Sequence, residues 1–318
     1  VELSEGCNLY CSFCGLQGIR EKKEKNFKFM EESTLRCLMK QMVELKWNPR
    51  VEFAMHGEPT MHPDFAGMVR AAREVAPRLQ LMMTSNAGGL MRKPGPAENV
   101  ESLFRAGLNV LALDDYEGVN FVGKVREACA LSVKEDANSV LQKVRFYEYP
   151  AQPLGNPHSR VSHTEMKVSY IQSIDEAKKG THSHLNNHAG AAAPLNDRMA
   201  GKRCAKPFRE MSVRWDGNVA VCCNDWRGHY KCGSVLLEGV EGVWHGEAMT
   251  AARQKLVLGQ RDFGPCRGCD AMSHRVGLLP DKFGKVTLPL PDKSTDAAIA
   301  AALAGKPYAT PILREWER

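Results

Sequence analysis

No stretch of this chain approaches the roughly 20 consecutive apolar residues that a membrane-spanning helix needs. The softest stretch, Ala297 to Ala304, is a short alanine-rich helical pattern, so a soluble protein is expected. The chain also lacks an internal repeat, which excludes a stacked-repeat architecture. It lacks the bias of a disordered chain as well, since 43% of its 318 residues are hydrophobic and 25% charged. That length suits one large domain or two smaller ones. An initiator methionine is absent too: residues 1–6 already read as a strand and loop leading into a motif, so a natural start upstream of Val1 is expected. No strong charge imbalance is present, the net charge of +6 being spread along the chain. The one basic run, Arg20, Lys22, Lys23, Lys25 and Lys28 broken by Glu21 and Glu24, reads first as a solvated face. Its second reading is a basic rim for a phosphate-bearing substrate or nucleic acid.

Cysteine is what the chain has in excess. Eleven are present: a trio at Cys7, Cys11 and Cys14, singles at Cys37 and Cys129, and a set at Cys204, Cys222, Cys223, Cys232, Cys266 and Cys269. A secreted disulfide framework spreads its cysteines through a short, loop-rich chain, whereas these cluster at metal-ligand spacings in a long one. A reducing, cytoplasmic compartment is the expectation.

From Glu31 to about Asp175 helical and strand patterns alternate. Leu35, Leu38, Met39, Met42 and Leu45 recur at helical spacing, and Arg50 to Met55 is strand-like. A helix with Asp64 in its first turn runs to about Val75, followed by a strand at 79–84, a helix at 97–106, a strand at 110–113, a helix at 119–131 and a strand at 144–147. Repeated βα units predict a parallel sheet with helices outside it, open or closed into a barrel, and a strand at Lys167 to Ile171 is expected to complete it. Residues 150 to about 200 break the rhythm. From Cys204 the segments are short and organised around cysteines, and after about Val276 a Pro- and Lys-rich tail follows.

The trio has the spacing C-x3-C-x2-C with Phe13 before the last thiol. Three thiolates can hold three irons of a [4Fe–4S] cube and leave the fourth open for chemistry. Structural zinc would want a fourth protein ligand, and no Cys or His lies near this loop. The loop resembles the cluster-binding motif of the radical S-adenosylmethionine (radical SAM) superfamily. Two further segments fall where that resemblance expects them. His56-Gly57-Glu58-Pro59 resembles the Gly-Gly-Glu-Pro motif that receives the SAM ammonium, and Thr84-Ser85-Asn86-Ala87-Gly88 resembles the polar turn that contacts SAM. The resemblance implies SAM contacts from His56, Gly57, Glu58, Pro59, Ser85 and Asn86. It also implies a partial (β/α)6 TIM-like barrel and an external electron donor of flavodoxin or ferredoxin type. The segment that contacts adenine in this family is not legible here.

Cys204, then Gly217 with four residues between it and Cys222, and then Cys266-Arg267-Gly268-Cys269 resemble the auxiliary-cluster module called SPASM and its shortened form, twitch. Met211 to Val221 reads as a hairpin turning at Asp216-Gly217. The resemblance implies an auxiliary [4Fe–4S] cluster on Cys204, Cys222, Cys266 and Cys269, with Asp225, Gly233 and Trp244 as turn and packing positions. Four-thiolate zinc is the alternative on ligand chemistry alone. Strand alternation turns Cys223 away from a cluster held by Cys222. Either Cys223 or Cys232 is conceivable as a hydrogen donor, while Cys37 and Cys129 read as buried packing residues.

Asp114 and Asp115 follow the apolar strand Val110 to Leu113, at the end that faces the active site of a βα barrel, and are the candidate catalytic residues, against a solvated turn or helix cap. His182, His184 and His188 read as an incidental cluster rather than a metal clip. Arg160, Arg209 and Arg214 are candidates for substrate anions or for surface ion pairs. The expected organisation is a radical SAM core at 1–170, a connecting segment at 171–199, an auxiliary-cluster module at 200–275 and a tail at 276–318. The implied activity is reductive SAM cleavage, then hydrogen abstraction from an organic substrate leading to oxidation or rearrangement. Candidate substrates are a small molecule, a ribosomal peptide and an amino-acid-modified nucleobase. A non-catalytic electron-transfer protein is the alternative that leaves His56 to Pro59 and Thr84 to Gly88 unexplained.

Overall fold

The computed structural model describes residues 1–11, 13–18, 26–116, 119–171, 187–192 and 199–271. The chain divides into two compact units: 1–11, 23–184 and 214–216 form one, and 12–22, 185–213 and 217–318 the other. The expected tail, most of the basic run, His182 and His184 lie outside the described residues.

In the first unit, strands β3 (Arg50–Phe53), β4 (Gln80–Ser85), β5 (Val110–Asp114), β6 (Arg145–Tyr149) and β7 (Lys167–Ile171) form a parallel sheet. Helix α1 (Glu32–Glu44) precedes β3, and α2 (Phe65–Val75), α3 (Pro96–Arg105) and α4 (Phe121–Glu135) run between successive strands from β3 to β6. The helical stripe of α1 buries Leu35, Leu38, Met39 and Met42. Asp64 caps α2 by accepting the Gly67 N–H at 2.8 Å. Leu81, Met82, Met83, Val110, Leu111 and Leu113 are fully buried, as expected of parallel strands covered on both faces.

The strand order is β3-β4-β5-β7-β6, so β7 lies between β5 and β6 instead of following β6 at the edge. Asn109, just before β5 and buried, accounts for this placement. Its carbonyl accepts the Lys167 N–H at 2.8 Å and its side-chain amide donates to His163 O and Glu165 O, each at 2.9 Å. Its side-chain oxygen accepts Leu81 N–H at 2.9 Å and Arg73 Nη2 at 2.6 Å. One buried amide thus ties the starts of β4 and β7 to the two sides of β5.

The N-terminal segment does not join the sheet as a full strand. β1 (Ser4–Glu5) pairs antiparallel with β2 (Lys28–Phe29), and a single parallel bridge links Gly6 to Gly57. This approach is close enough that a Cβ on Gly57 would lie 2.2 Å from Ser4 O and 2.4 Å from Gly6 O.

In the second unit, β8 (Ser212–Val213) and β9 (Asn218–Ala220) form the expected hairpin, with Gly217 at φ 80°, and β10 (Lys231–Ser234) adds to the other side of β9. Helices Gly239–His245 and Glu247–Val257 follow. Arg253, 4% exposed, donates to Pro207 O and Trp244 O and lies 4.2 Å over the Trp244 ring.

Gly57→Ala is expected to destabilise the chain by about 1–3 kcal/mol, because the neighbours of the added methyl are backbone that cannot rotate away. Urea unfolding of the variant beside the parent chain checks this, and an unchanged midpoint would contradict the close approach.

Candidate functional site

The turns that follow β3 and β4 are joined by one carboxylate. Glu58 is 3% exposed, and its Oε1 accepts Thr60 N–H at 3.0 Å, Thr60 Oγ1 at 2.5 Å and Ser85 Oγ at 2.6 Å. Its Oε2 accepts Asn86 N–H at 2.7 Å. Burial pushes the Glu58 carboxyl above its ordinary value, against the pull of these donors. Thr60 extends the set by accepting Gly89 N–H at 3.0 Å, and Ser85 by accepting Ala87 N–H at 2.9 Å.

Asn86 carries this network to the first cysteine. Its side-chain amide donates to Cys7 Sγ at 3.3 Å and to Asn8 Oδ1 at 3.1 Å, while its own oxygen accepts Gly88 N–H at 2.7 Å. Leu9 N–H points at the same sulfur at 3.4 Å. Cys7, Cys11 and Cys14 are all partly exposed. Cys7 and Cys11 belong to the first unit and Cys14 to the second. Within the second unit Gly15 packs so closely that a Cβ there would lie 2.6 Å from the Trp226 ring and 2.8 Å from His188 Cβ. His188, one of the three loop histidines, stands edge-on to that ring at 5.1 Å.

His56 is fully buried, with Nδ1 2.9 Å from Glu2 Oε1. Its ring faces into the protein, and its carbonyl accepts Gly6 N–H at 3.4 Å. Arg214 is ion-paired to Glu5 and lies 3.8 Å from Glu2 Oε2, so the ion-pair reading of this arginine is the one the structure supports. Burial would raise the Glu5 carboxyl, but Lys28 and Arg214 outweigh it and hold that group below its ordinary value. Arg160 donates to Asn48 O at 3.2 Å, and Arg209 is exposed.

Asp114 ends β5 and accepts Tyr116 Oη at 3.2 Å. Burial, reinforced by the negative charges of Glu58 and Glu52, pushes its carboxyl up to about 7 despite that bond. A carboxyl poised there exchanges a proton near neutrality. Asp115 donates its backbone N–H to Ile171 O at 3.3 Å.

In the second unit Cys222, Cys266 and Cys269 are each 8% exposed and Cys204 is partly buried. Burial first, then the neighbouring Cys204 and Cys269 sulfurs, push the Cys266 thiol up; Cys269 is raised by burial with Cys204 again beside it. A cavity of about 270 Å³ opens against Cys266 and Cys269. Arg261, 8% exposed, donates to Lys202 O at 2.9 Å, Arg203 O at 3.2 Å and Cys269 O at 3.3 Å, joining the approach to Cys204 to the C-x2-C loop. Asp225 closes the turn after Cys222 by accepting His229 and Tyr230 N–H, both at 2.9 Å. Cys129 and Cys232 are buried, and burial pushes both thiols up to about 12.

A family model described as the radical SAM superfamily matches residues 1–115, and one described as SPASM, an iron–sulfur cluster-binding domain, matches 204–270. The chain belongs to the radical SAM superfamily and carries a SPASM module. The S-adenosyl-L-methionine-dependent 2-deoxy-scyllo-inosamine dehydrogenase of Niallia circulans is 22% identical over 276 residues, covering 86% of this chain and 92% of that protein. Among solved structures, BtrN in complex with AdoMet and 2-DOIA gives a TM-score of 0.61 at 20% identity, covering 86% of this chain and 92% of that one. Selenomethionine BtrN in an open conformation gives 0.55 at 18%, covering 85% and 91%. The fold is therefore that of a radical SAM partial barrel, and its cofactors are [4Fe–4S] clusters and SAM.

The donor chemistry fits those groups. Soft thiols suit iron–sulfur centres, with Cys204, Cys266 and Cys269 within electrostatic reach of one another, while the Cys7 sulfur already receives two N–H groups of the kind that tune such centres. The Glu58 carboxylate accepts from the Ser85 hydroxyl and from the Asn86 main-chain N–H, while the Asn86 side chain turns to Cys7 and Asn8. Asn8, Thr60, Tyr116 and Arg261 were not singled out by the sequence. Asn8 follows Cys7 directly and Thr60 follows the Glu58-Pro59 motif, whereas Arg261 carries no local signal.

In this radical SAM enzyme Glu58→Gln places an amide N–H against a backbone donor of the turn, and a loss of about 1–3 kcal/mol in stability is expected with weaker SAM binding. Urea unfolding and equilibrium SAM binding measure both, and unaltered values for the pair would remove Glu58 from this role. For Asp114, folding raises the carboxyl from 3.8 to about 7, so its ionised form is disfavoured in the fold. Stability is therefore expected to fall as pH rises through that window, relative to Asp114→Asn, which has no proton to lose. Parallel unfolding curves at pH 5 and pH 8 test it; identical pH dependence of the two proteins would contradict the shift.

Proposed function

We propose that this radical SAM enzyme oxidises a secondary alcohol of a small polyhydroxylated or amino-substituted ring to the ketone. The observation that carries this reading is the similarity along 86% of the chain to a SAM-dependent dehydrogenase of such a ring. Cys7, Cys11 and Cys14 hold the SAM-binding cluster, and Cys204, Cys222, Cys266 and Cys269 the auxiliary one. When bound, SAM on the first cluster supplies hydrogen-atom abstraction, and the auxiliary cluster supplies an acceptor for one electron.

The residues of the chain do the remaining work. Glu58, Thr60 and Ser85 hold the two turns that frame SAM, and Glu58 Oε2, which accepts Asn86 N–H, is the oxygen that receives the SAM ammonium. The main chain of His56 to Pro59 and the turn at Ser85–Asn86 supply the other contacts. Asp114 accepts the hydroxyl proton, so that the alcohol loses one hydrogen atom, one proton and one electron in becoming a carbonyl. An external flavodoxin- or ferredoxin-type protein supplies the reducing electron for SAM cleavage.

Anaerobic reconstitution is expected to give about eight irons per chain, and the Cys7→Ala, Cys11→Ala, Cys14→Ala triple variant about four, since each cube holds four. With dithionite and SAM, cyclitol and aminocyclitol substrates deuterated at the carbinol carbon are expected to pass that label to 5′-deoxyadenosine and to yield the ketone. Retention of all iron in the triple variant would sink the cluster assignment, and an absence of label transfer across the panel would sink the substrate class.

A further inference from the structure

Lys206 is a buried cation with no part in the chemistry above. It lies two residues after Cys204, in the short helix Lys206–Arg209, and is 9% exposed. Its ammonium donates to Glu210 Oε1 at 2.9 Å and to Cys223 Sγ at 3.1 Å, and the Cys223 thiol reaches the same carboxylate oxygen at 3.5 Å. These contacts join the segment that carries Cys204 to the one that carries Cys222.

A bracing role alone is a poor account of the pair. Holding the ammonium nearly out of water is costly, and apolar residues of the same volume brace as well or better. What apolar residues cannot supply is charge at a chosen place. Cys223, whose sulfur lies 3.1 Å from the ammonium and 3.5 Å from the carboxylate, is the chain neighbour of Cys222, and Lys206 is two residues from Cys204, so both charges sit beside the segments that carry two of the cluster's cysteines. A cluster on four thiolates becomes more negative when it accepts an electron, so a nearby ammonium favours the reduced form and a nearby carboxylate the oxidised one.

We propose that Lys206 and Glu210 are a positioning pair that sets the reduction potential of the auxiliary cluster, with Lys206 raising it and Glu210 limiting the rise. The pair rests on the reading of Cys204 and Cys222 as ligands of that cluster. An acceptor of the electron left after hydrogen abstraction needs such a setting. The potential must be high enough to take the electron and low enough to give it up again.

The test is an EPR-monitored redox titration of the reconstituted full chain, following the signal that SAM addition leaves unchanged, with iron content measured in parallel. Lys206→Met is expected to move that midpoint to more negative potential, Glu210→Gln to move it to more positive potential, and Lys206→Arg to stay nearer the parent than Lys206→Met. Unmoved midpoints, or shifts of the same sign in Lys206→Met and Glu210→Gln, overturn the proposal, since a mere brace carries no sign. Should Lys206→Met fail to hold auxiliary iron, Glu210→Gln decides: a positive shift supports the pair and an unmoved midpoint overturns it. The ligand reading fails separately, if Cys222→Ala keeps about eight irons and an unchanged SAM-insensitive signal.

Discussion

A single buried carboxylate, Glu58, joins the turns that follow β3 and β4 in the first unit. Four donors from the two turns meet its oxygens, and one of them belongs to Asn86, whose side chain reaches Cys7. Leaving such a group unpaired in the interior would cost far more than any one of these bonds contributes, so the network holds as a whole or not at all. Position is what it secures. The turns after β3 and β4 are loops, and loops alone do not hold a cofactor site to the tolerance that radical chemistry requires.

The N-terminal segment is fixed by charge as well as by main-chain bonds. Glu2 meets His56, Arg214 and the Trp215 N–H, while Glu5 takes Lys28 and Arg214. Beside the two-residue pairing to β2 and the bridge at Gly6 to Gly57, main-chain bonds tie Val1 to Glu52 and Ala54, Leu3 to Met30, and Gly6 to His56 and Glu58. The ion pairs and the close packing at Gly57 add to these bonds.

Much of this architecture is legible because it is local. The apolar stripe of α1, the Asp64 cap, the β3 to β5 strands and the turn at Asp216-Gly217 all follow from residues within a few positions of one another. The placement of β7 is not, since it depends on Asn109 meeting carbonyls more than fifty residues away. The motif around Glu58 is recognisable, yet the pattern of letters does not distinguish a side chain that touches a cofactor from one that frames its site. His56 shows the difference, its position matching the motif while its ring is buried against Glu2. The i, i+4 spacing of Lys206 and Glu210 carries no sign in the sequence that the fold buries the lysine beside Cys223.

Arg261 gives the auxiliary module a property separate from electron transfer. Its guanidinium fastens the carbonyls of Lys202 and Arg203 to that of Cys269, holding the ligand loops together by bonds that do not involve iron. Iron–sulfur centres are lost to oxygen, and a loop set held only by its metal would collapse each time. Loops pinned by an arginine keep links that do not depend on the metal, so losing iron does not release every bond between them.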